Sequence, residues 1–204
     1  MHKTAIAAFA LALAAALAAG CSSAPPMRFY LVTPLDGAQA AAAPAPGPGV
    51  VVAAVRLPLY LERPQLVTRS GDNRLQLEEF HQWGGNLGKD LTRVLAENLS
   101  RLLGSDSVVA APHTLRPRPD YRLEVEVLRF ERAADARVHL AAKWWLQRGA
   151  DGAPLAAPTT VLQSEPLAAS ATFDDTVAAM SRLYGELSRA IAQAITQQHA
   201  KAAR

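Results

Sequence analysis

The sequence contains a single cysteine, Cys21, so no disulfide can form within the chain even in an oxidising compartment. An excess of charge of one sign is also missing, because the formal net charge is +3 and the basic residues are dispersed along the chain. Nucleic-acid binding needs a clustered basic surface, so no nucleic-acid partner is predicted. The uncharged apolar run 4–19 is shorter than the about 20 residues that a comfortable membrane span needs.

The sequence also lacks the motifs of common catalytic and metal sites. It has no G-x-S-x-G turn, no P-loop, no G-x-G-x-x-G and no histidines spaced as H-x-x-x-H or H-x-H ligand pairs. We expect His139 to be a solvated residue on the polar face of a strand. Glu78-Glu79 and Asp174-Asp175 are expected to be surface charges, because side chains adjacent in sequence point in different directions. We therefore predict no enzyme activity, no catalytic residue, no metal and no cofactor.

What the chain does contain at its start is the pattern of an exported protein. Met1–Lys3 carries positive charge, and the apolar run that follows has the length and flanks of a secretory signal. The run ends in small residues, and Cys21 follows immediately. We therefore predict a signal peptide at 1–20 that is removed from the mature chain.

Residues 17–21, LAAGC, resemble the bacterial lipobox, in which a peptidase cuts before the cysteine and the sulfur receives diacylglycerol. The leucine stands one position further from the cysteine than is usual. Diacylglycerol and an N-acyl chain on Cys21 would anchor the protein stably, since each buried methylene contributes about 0.8 kcal/mol. We predict a lipidated tether at 21–27, and Ser22 in second place resembles the outer-membrane default. The alternative is an ordinary signal peptide next to a free cysteine.

The remainder, 28–199, is predicted to form a single domain. Within it, 38–49 (AQAAAAPAPGPG) is too poor in large apolar groups to pack, so a flexible loop is expected. Leucines at helical spacing predict a helix from Asn86, as N-cap, to a stop at Gly104. Strands are predicted at 28–32, 50–55, 65–70, 74–78, 108–111, 121–127, 138–146 and 159–168.

A second amphipathic helix is predicted from about Asp174, with Thr172 or Asp174 as its cap. Together the patterns predict an α/β (α+β) sandwich, with one mixed β-sheet and two amphipathic helices packed on one face. Trp144 and Trp145 fall in one strand, so one ring should fill the core and the other should face away. That second ring either marks a contact surface or is covered by a helix.

The polar stretch 67–83 raises the question of whether it is a reaction centre or a recognition element. Gly71, Asp72 and Asn73 tolerate left-handed backbone angles and separate two β-like runs, which predicts a hairpin. No nucleophile–base pairing accompanies the charges. We therefore interpret the stretch as a recognition element.

Residues 60–104 resemble the ABC-type transport auxiliary lipoprotein family, the PqiC-like lipoproteins associated with Mce systems. The matching positions are Tyr60-Leu61, Arg63-Pro64-Gln65, Thr68-Arg69, Asn73, Trp83, Arg93-Val94-Leu95 and Asn98-Leu99, with further matches at 28–31, 121–125, 180–181 and 187–188. Where many members have Trp-Ala-Glu-Pro-Leu, this chain has Trp-Gly-Gly-Asn-Leu at 83–87, so we expect a looser approach to the first helix.

The resemblance implies a non-enzymatic accessory subunit, anchored to the outer membrane and facing the periplasm of a Gram-negative bacterium. Its expected partner is a periplasmic Mce-domain protein with that protein's inner-membrane components, and a homo-oligomer is left open. Alternatives are a lipid-binding carrier with its own apolar pocket and a periplasmic hydrolase. Arg69, Asp72, Asn73 and Arg74 are expected to hold the turn or meet a neighbour, with Phe80 and Trp83 as packing anchors. The candidate interface residues are Arg63, Gln65, Arg69, Asp72, Asn73, Arg74, Phe80 and Trp83.

Overall fold

The computed structural model describes residues 25–36, 47–112 and 118–202. The predicted signal peptide 1–20, the lipidation at Cys21 and positions 38–46 of the predicted loop lie outside these residues. At the end of that loop, Ser105 Oγ donates to the carbonyl of Pro48 at 2.9 Å.

Nine β-strands in the described residues form one mixed, open sheet. They are β1 Arg28–Tyr30, β2 Val50–Val52, β3 Gln65–Gly71, β4 Arg74–Trp83, β5 Val108–Ala110, β6 Tyr121–Arg132, β7 Val138–Arg148, β8 Pro154–Ala156 and β9 Thr159–Gln163. The main order is β1-β4-β3-β6-β2-β5, and β7 pairs with β6, β8 and β9. With helices α1 Leu87–Leu103 and α2 Phe173–Ala202, the predicted α+β class is confirmed.

Strand β6 is the centre of the sheet. Its long antiparallel pairing with β7 runs from Tyr121 opposite Arg148 to Arg132 opposite Val138. On its other edge it pairs in parallel with β2 at its start and with β3 at its end, where Thr68 lies opposite Arg132. The chain between β2 and β3 therefore follows one edge of β6, which brings the hairpin β3–β4 to the end of that strand.

The far edge of the sheet differs from the sequence-based expectation. Strand β8 was not predicted, because prolines at 154 and 158 make the segment read as a loop; an edge strand tolerates proline where the missing N–H would face outward. Strand β9 ends at Gln163, earlier than the predicted limit of 168. Pro166 cannot donate a ladder hydrogen bond, so regular pairing does not continue to that limit.

Helix α1 follows its sequence signals closely. The Asn86 side chain accepts a hydrogen bond from the Lys89 N–H at 2.9 Å, which caps the first turn. Gly104 ends the helix with φ +60°, a left-handed conformation that a side chain disfavours. The leucines of one face, represented by Leu91 and Leu99, are completely buried, and each such burial contributes roughly 1.5–3 kcal/mol.

Helix α2 begins with a reciprocal cap. The Thr172 Oγ1 accepts from the Asp175 N–H at 3.3 Å, and Asp175 Oδ2 accepts from the Thr172 N–H at 2.7 Å. The two helices contact each other through Tyr184, whose hydroxyl donates to the carbonyl of Leu91 at 2.9 Å. Burial raises the pKa of Tyr184 well above its ordinary value. Within the described residues, neither helix has the length of apolar sequence needed to cross a membrane.

The two faces of the sheet have different environments. Val125 of β6 and Leu140 of β7 point toward the helices and are buried, as are their alternate neighbours on both strands. The opposite face, here called the outer face, carries the remaining residues of each strand. On β6 these include Glu124 and Glu126, both of which pair with Arg56.

Candidate functional site

The predicted hairpin of β3 and β4 is present and longer than expected. Asp72 and Asn73 form its turn, since Gly71 lies opposite Arg74. In the described residues the positive φ angles belong to Gly104, Gly152 and Ala136, so the turn is made without the left-handed angles that we expected at 71–73. An irregularity in the pairing between Arg69 and Gly71 accompanies the reversal instead.

A buried carboxylate holds this hairpin against the centre of the sheet. Glu131 of β6 is 0% exposed and accepts hydrogen bonds on both oxygens. Arg69 Nε and Arg129 Nε donate to Oε1, each at 2.9 Å, and the Tyr60 hydroxyl donates to Oε2 at 2.7 Å. The Phe130 N–H also donates to Oε2, at 3.1 Å. A buried charge with this many donors is compensated rather than reactive.

The ionisation of this cluster follows from its contacts. Burial by itself would raise the pKa of Glu131, but the hydrogen bonds from Arg69, Tyr60 and Arg129 outweigh it and lower that pKa below its ordinary value. Burial and the bond to the carboxylate raise the pKa of Tyr60 well above its usual range. The hydrogen bond to Glu131 also raises the pKa of Arg69. At neutral pH the carboxylate is therefore charged and the phenol is a fixed donor.

Two of the predicted site residues, Arg69 and Asp72, belong to this cluster or contact it. Arg69 binds Glu131 and also donates through Nη1 to the carbonyl of Asp72 at 3.0 Å, so one side chain ties the turn to β6. Asn73 and Arg74 are exposed. The cluster includes Tyr60, which the resemblance singled out, and Glu131, which sequence reasoning missed.

The other predicted positions have separate environments. Gln65 is half-buried opposite Gln82, beside a large irregularity in the β3–β4 pairing. Arg63 is half-buried, and its Nε has no hydrogen-bond partner among the described residues. Trp83 is buried at 5% exposure.

Phe80 is a correction to the sequence-based expectation. It was predicted to be a packing anchor, but its side chain is 39% exposed. The irregular pairing of β3 and β4 between Gln65 and Leu66 breaks the strict alternation of faces at this point. Phe80 consequently lies on the outer face, while Trp83 enters the core.

The approach to α1 is tighter than expected for a segment with two glycines. The Gly84 N–H donates to the carbonyl of Tyr30 at 2.7 Å. A β-carbon on Gly84 would lie 3.2 Å from Leu31 Cδ2, so the absence of a side chain permits this close contact. Position 84 is thus glycine where many family members have alanine, and this glycine contacts the first strand directly.

The tryptophan pair is arranged as alternation requires. Trp144 is buried and its Nε1 donates to Thr160 Oγ1 at 3.1 Å. Trp145 is half-buried on the outer face, opposite the face that α1 and α2 cover. Two cations flank its ring instead: Arg56 Cζ lies 5.5 Å and Lys143 Nζ 5.1 Å from the ring centroid.

The remaining predicted polar residues do not form a reaction centre with one another. His139 is partly buried and bonded to Asp135 at 2.9 Å, so it is less solvated than expected. Glu79 and the acidic pair 174–175 are exposed, and Glu78 accepts from Thr68 Oγ1 at 3.1 Å. Among the described residues, no group of three or more acidic, histidine or cysteine side chains is arranged to hold a metal ion.

Comparisons with known proteins agree with this fold. A sequence profile for the ABC-type transport auxiliary lipoprotein component matches residues 30–192. The crystal structure of an uncharacterized protein superposes with a TM-score of 0.68 at 20% identity, covering 84% of this chain and 99% of the other. A Xanthomonas campestris protein superposes with a TM-score of 0.64 at 18% identity, covering 85% and 99% of the two chains. A comparison with curated proteins finds no significant match.

Proposed function

This chain belongs to the ABC-type transport auxiliary lipoprotein family, and from that membership we propose that it is a docking subunit of an ABC- or Mce-type lipid transport system. In this proposal diacylglycerol and an N-acyl chain on Cys21 anchor it to the outer membrane, from which it faces the periplasm. The hairpin tip, defined as residues 71–77, contacts a periplasmic Mce-domain protein linked to inner-membrane components. The protein has no catalytic role of its own, and its contribution to envelope integrity follows from that contact.

The observation that carries the proposal is the exposed apolar surface of a hairpin that is firmly held. Leu75 and Leu77 are 36% and 38% exposed on the strand that follows the turn. They lie opposite Arg69 and Val67, so they share the outer face with the Glu131 cluster. A rigid, partly apolar projection loses little conformational freedom when it binds a protein, which favours specific docking.

The contrast with the outer face at the start of β6 supports the same assignment. On β6, Arg122 and Glu124 form an exposed ion pair at 3.3 Å, and Arg56 extends the charges along the strand. Charged ladders of this kind keep an exposed sheet face soluble. Leu75 and Leu77 instead expose apolar surface on the hairpin. Exposed apolar surface beside a charged rim is typical of protein contact sites.

The alternative of a lipid carrier receives less support from the clefts in the described residues. One cleft of about 490 Å³ is lined by Val55 and Leu57 but also by Glu62, Lys89 and Arg93. Charged side chains in such a cleft would have to be desolvated against an acyl chain, which is unfavourable. Lipid that copurifies in a fixed ratio with the Cys21→Ser chain, which cannot be lipidated, would favour the carrier.

Site-specific photocrosslinking in intact cells tests the docking proposal. A photoreactive amino acid replaces Leu75, and the matched control replaces Val161, which is 71% exposed on the other edge of the sheet. We expect a crosslink to an Mce-domain protein from position 75, identified by mass spectrometry, and none from position 161. Equal crosslinking from both positions, or an Mce-domain protein recovered from neither, would contradict the proposal.

A further inference from the structure

The first strand carries an apolar surface that the docking proposal does not use. Met27, Phe29 and Leu31 are 44%, 66% and 53% exposed, whereas Tyr30 and Val32 between and beyond them are buried. The alternation places the three large side chains together on the outer face. Phe80 precedes His81, the partner of Arg28 in β4, so it lies beside Met27 on that face. We call Met27, Phe29, Leu31 and Phe80 the β1 patch.

The position of the β1 patch in the chain limits its distance from the proposed anchor. Cys21 precedes Met27 by six residues, which at about 3.5 Å per residue reach at most about 21 Å. Beyond the patch the chain is fixed at once, because the Val32 N–H donates to Asp90 at 3.0 Å and the Thr33 N–H to Ser181 at 3.1 Å. A lipid-anchored Cys21 thus keeps this edge of the sheet close to the bilayer.

The centres of the two apolar surfaces are offset along β4. Leu75 precedes Gln82, the β4 partner of Phe29, by seven residues, or about 23 Å at about 3.3 Å per residue, although Leu77 and Phe80 are only three residues apart. Strand β1 pairs only with the last part of β4, at 81–83, whereas the hairpin tip lies at the beginning of β4. Contact with lipid at one end leaves the other end available to a periplasmic partner.

We infer that the β1 patch rests on the lipid surface that holds the Cys21 anchor, with the rings of Phe29 and Phe80 and the side chains of Met27 and Leu31 at the headgroup boundary. This inference depends on the lipid anchor of the proposed function. Arg28, between Met27 and Phe29, points to the other side of β1 and lies 3.8 Å from Asp174. The four side chains of the patch are uncharged, so the attraction comes from apolar burial rather than from anionic lipid.

The full-length lipidated protein in phosphatidylcholine vesicles provides the test. Lipidation consumes the thiol of the only natural cysteine, so Phe29→Cys and, separately, Leu31→Cys each introduce a single site for an environment-sensitive dye. Val161→Cys is the matched control at an exposed position. Flotation with the vesicles is measured first, followed by the rate at which an aqueous reductant bleaches the dye and by quenching from nitroxide-labelled lipid.

We expect a blue-shifted dye at positions 29 and 31, bleached several-fold more slowly than at 161 and quenched by the labelled lipid. Floating protein with equal bleaching at all three positions would overturn the inference and leave the anchor in place. Protection that disappears when protein is diluted at constant lipid would assign the patch to a second copy and would also overturn it. Protein that fails to float would refute the anchor, and the inference with it.

Discussion

Replacing the buried carboxylate by an amide, Glu131→Gln, is the most direct test of how the hairpin is held. The change keeps the shape of the side chain but removes its charge. Arg69, Arg129 and Tyr60 all donate to Glu131, and an amide can satisfy these donors only with its single oxygen. Its NH₂ group would instead face a donor. We therefore expect a large loss of stability from a conservative substitution.

The magnitude follows from the exposure of the partners. Removing one side of a buried ion pair costs about 3–5 kcal/mol, because an uncompensated charge remains buried. Here the side chains of Arg69 and Arg129 are 24% and 35% exposed, so water can recover part of their hydration. We expect a decrease in the free energy of unfolding of about 3 kcal/mol, the lower end of that range. At roughly 2–4 °C per kcal/mol the midpoint of thermal unfolding should fall by roughly 6–12 °C.

Denaturant unfolding of the mature chain with Cys21→Ser measures this loss at neutral pH. Glu126→Gln is the matched control, since Glu126 lies on the same strand and the same face but is 43% exposed and 3.9 Å from Arg56. Exposed pairs of that kind contribute at most about 1 kcal/mol. A loss for Glu131→Gln below about 1 kcal/mol, or equal to that of the control, would refute the argument that the buried carboxylate holds the hairpin.

Three further predictions test the same structure. The pKa of Glu131 is lowered in the folded state, so its stabilisation is complete above the unfolded glutamate pKa of about 4.3 and is lost as the pH falls toward the folded value. The difference in free energy of unfolding between wild type and Glu131→Gln should therefore narrow with acidification in denaturant titrations. A difference that stays constant with pH would contradict this prediction. Asn86→Ala removes the cap on the Lys89 N–H and should cost about 1 kcal/mol, whereas Asn86→Asp should retain stability; equal losses would argue against capping. Gly104→Ala places a side chain at φ +60° and should lower the free energy of unfolding by roughly 1 kcal/mol, measured by thermal unfolding. An unchanged unfolding midpoint would show that the helix does not end in a left-handed residue at position 104.

The parts of the fold that were predictable are those governed by local chemistry. Helix α1 begins after Asn86 and ends before Gly104 because one supplies a side-chain acceptor and the other a left-handed angle. Both signals lie within a few residues of the effect. The alternation in β6 likewise identified the face that the helices cover, since each residue there is buried by the same layer.

The residues that escaped prediction depend on contacts distant in the chain. Glu131 follows the buried Phe130, after an irregularity in the β6–β7 pairing between Val127 and Arg129. The irregularity shifts the alternation of β6 so that Phe130 faces the helices and Glu131 lies on the outer face. On that face its partner Arg69 comes from a part of the chain that is distant in sequence. In the sequence, an arginine two positions before a glutamate in a strand is typical of an exposed ion pair. Glu131 is buried only because β3 and the chain around Tyr60 pack against β6. The prediction that Phe80 is a packing anchor was wrong for a related reason, because the irregular pairing of β3 and β4 changed the face on which Phe80 lies.

The buried cluster also changes what the family resemblance indicates about docking. Tyr60 and Arg69 are among the residues through which the sequence resembles the family, and both are engaged with Glu131 inside the protein. Side chains engaged in this way fix the direction of the hairpin but have little surface to offer a partner. Partner selectivity should therefore depend more on Leu75 and Leu77, which the cluster presents to solvent. In this arrangement the signature residues supply rigidity, and the residues beyond the turn supply the contact.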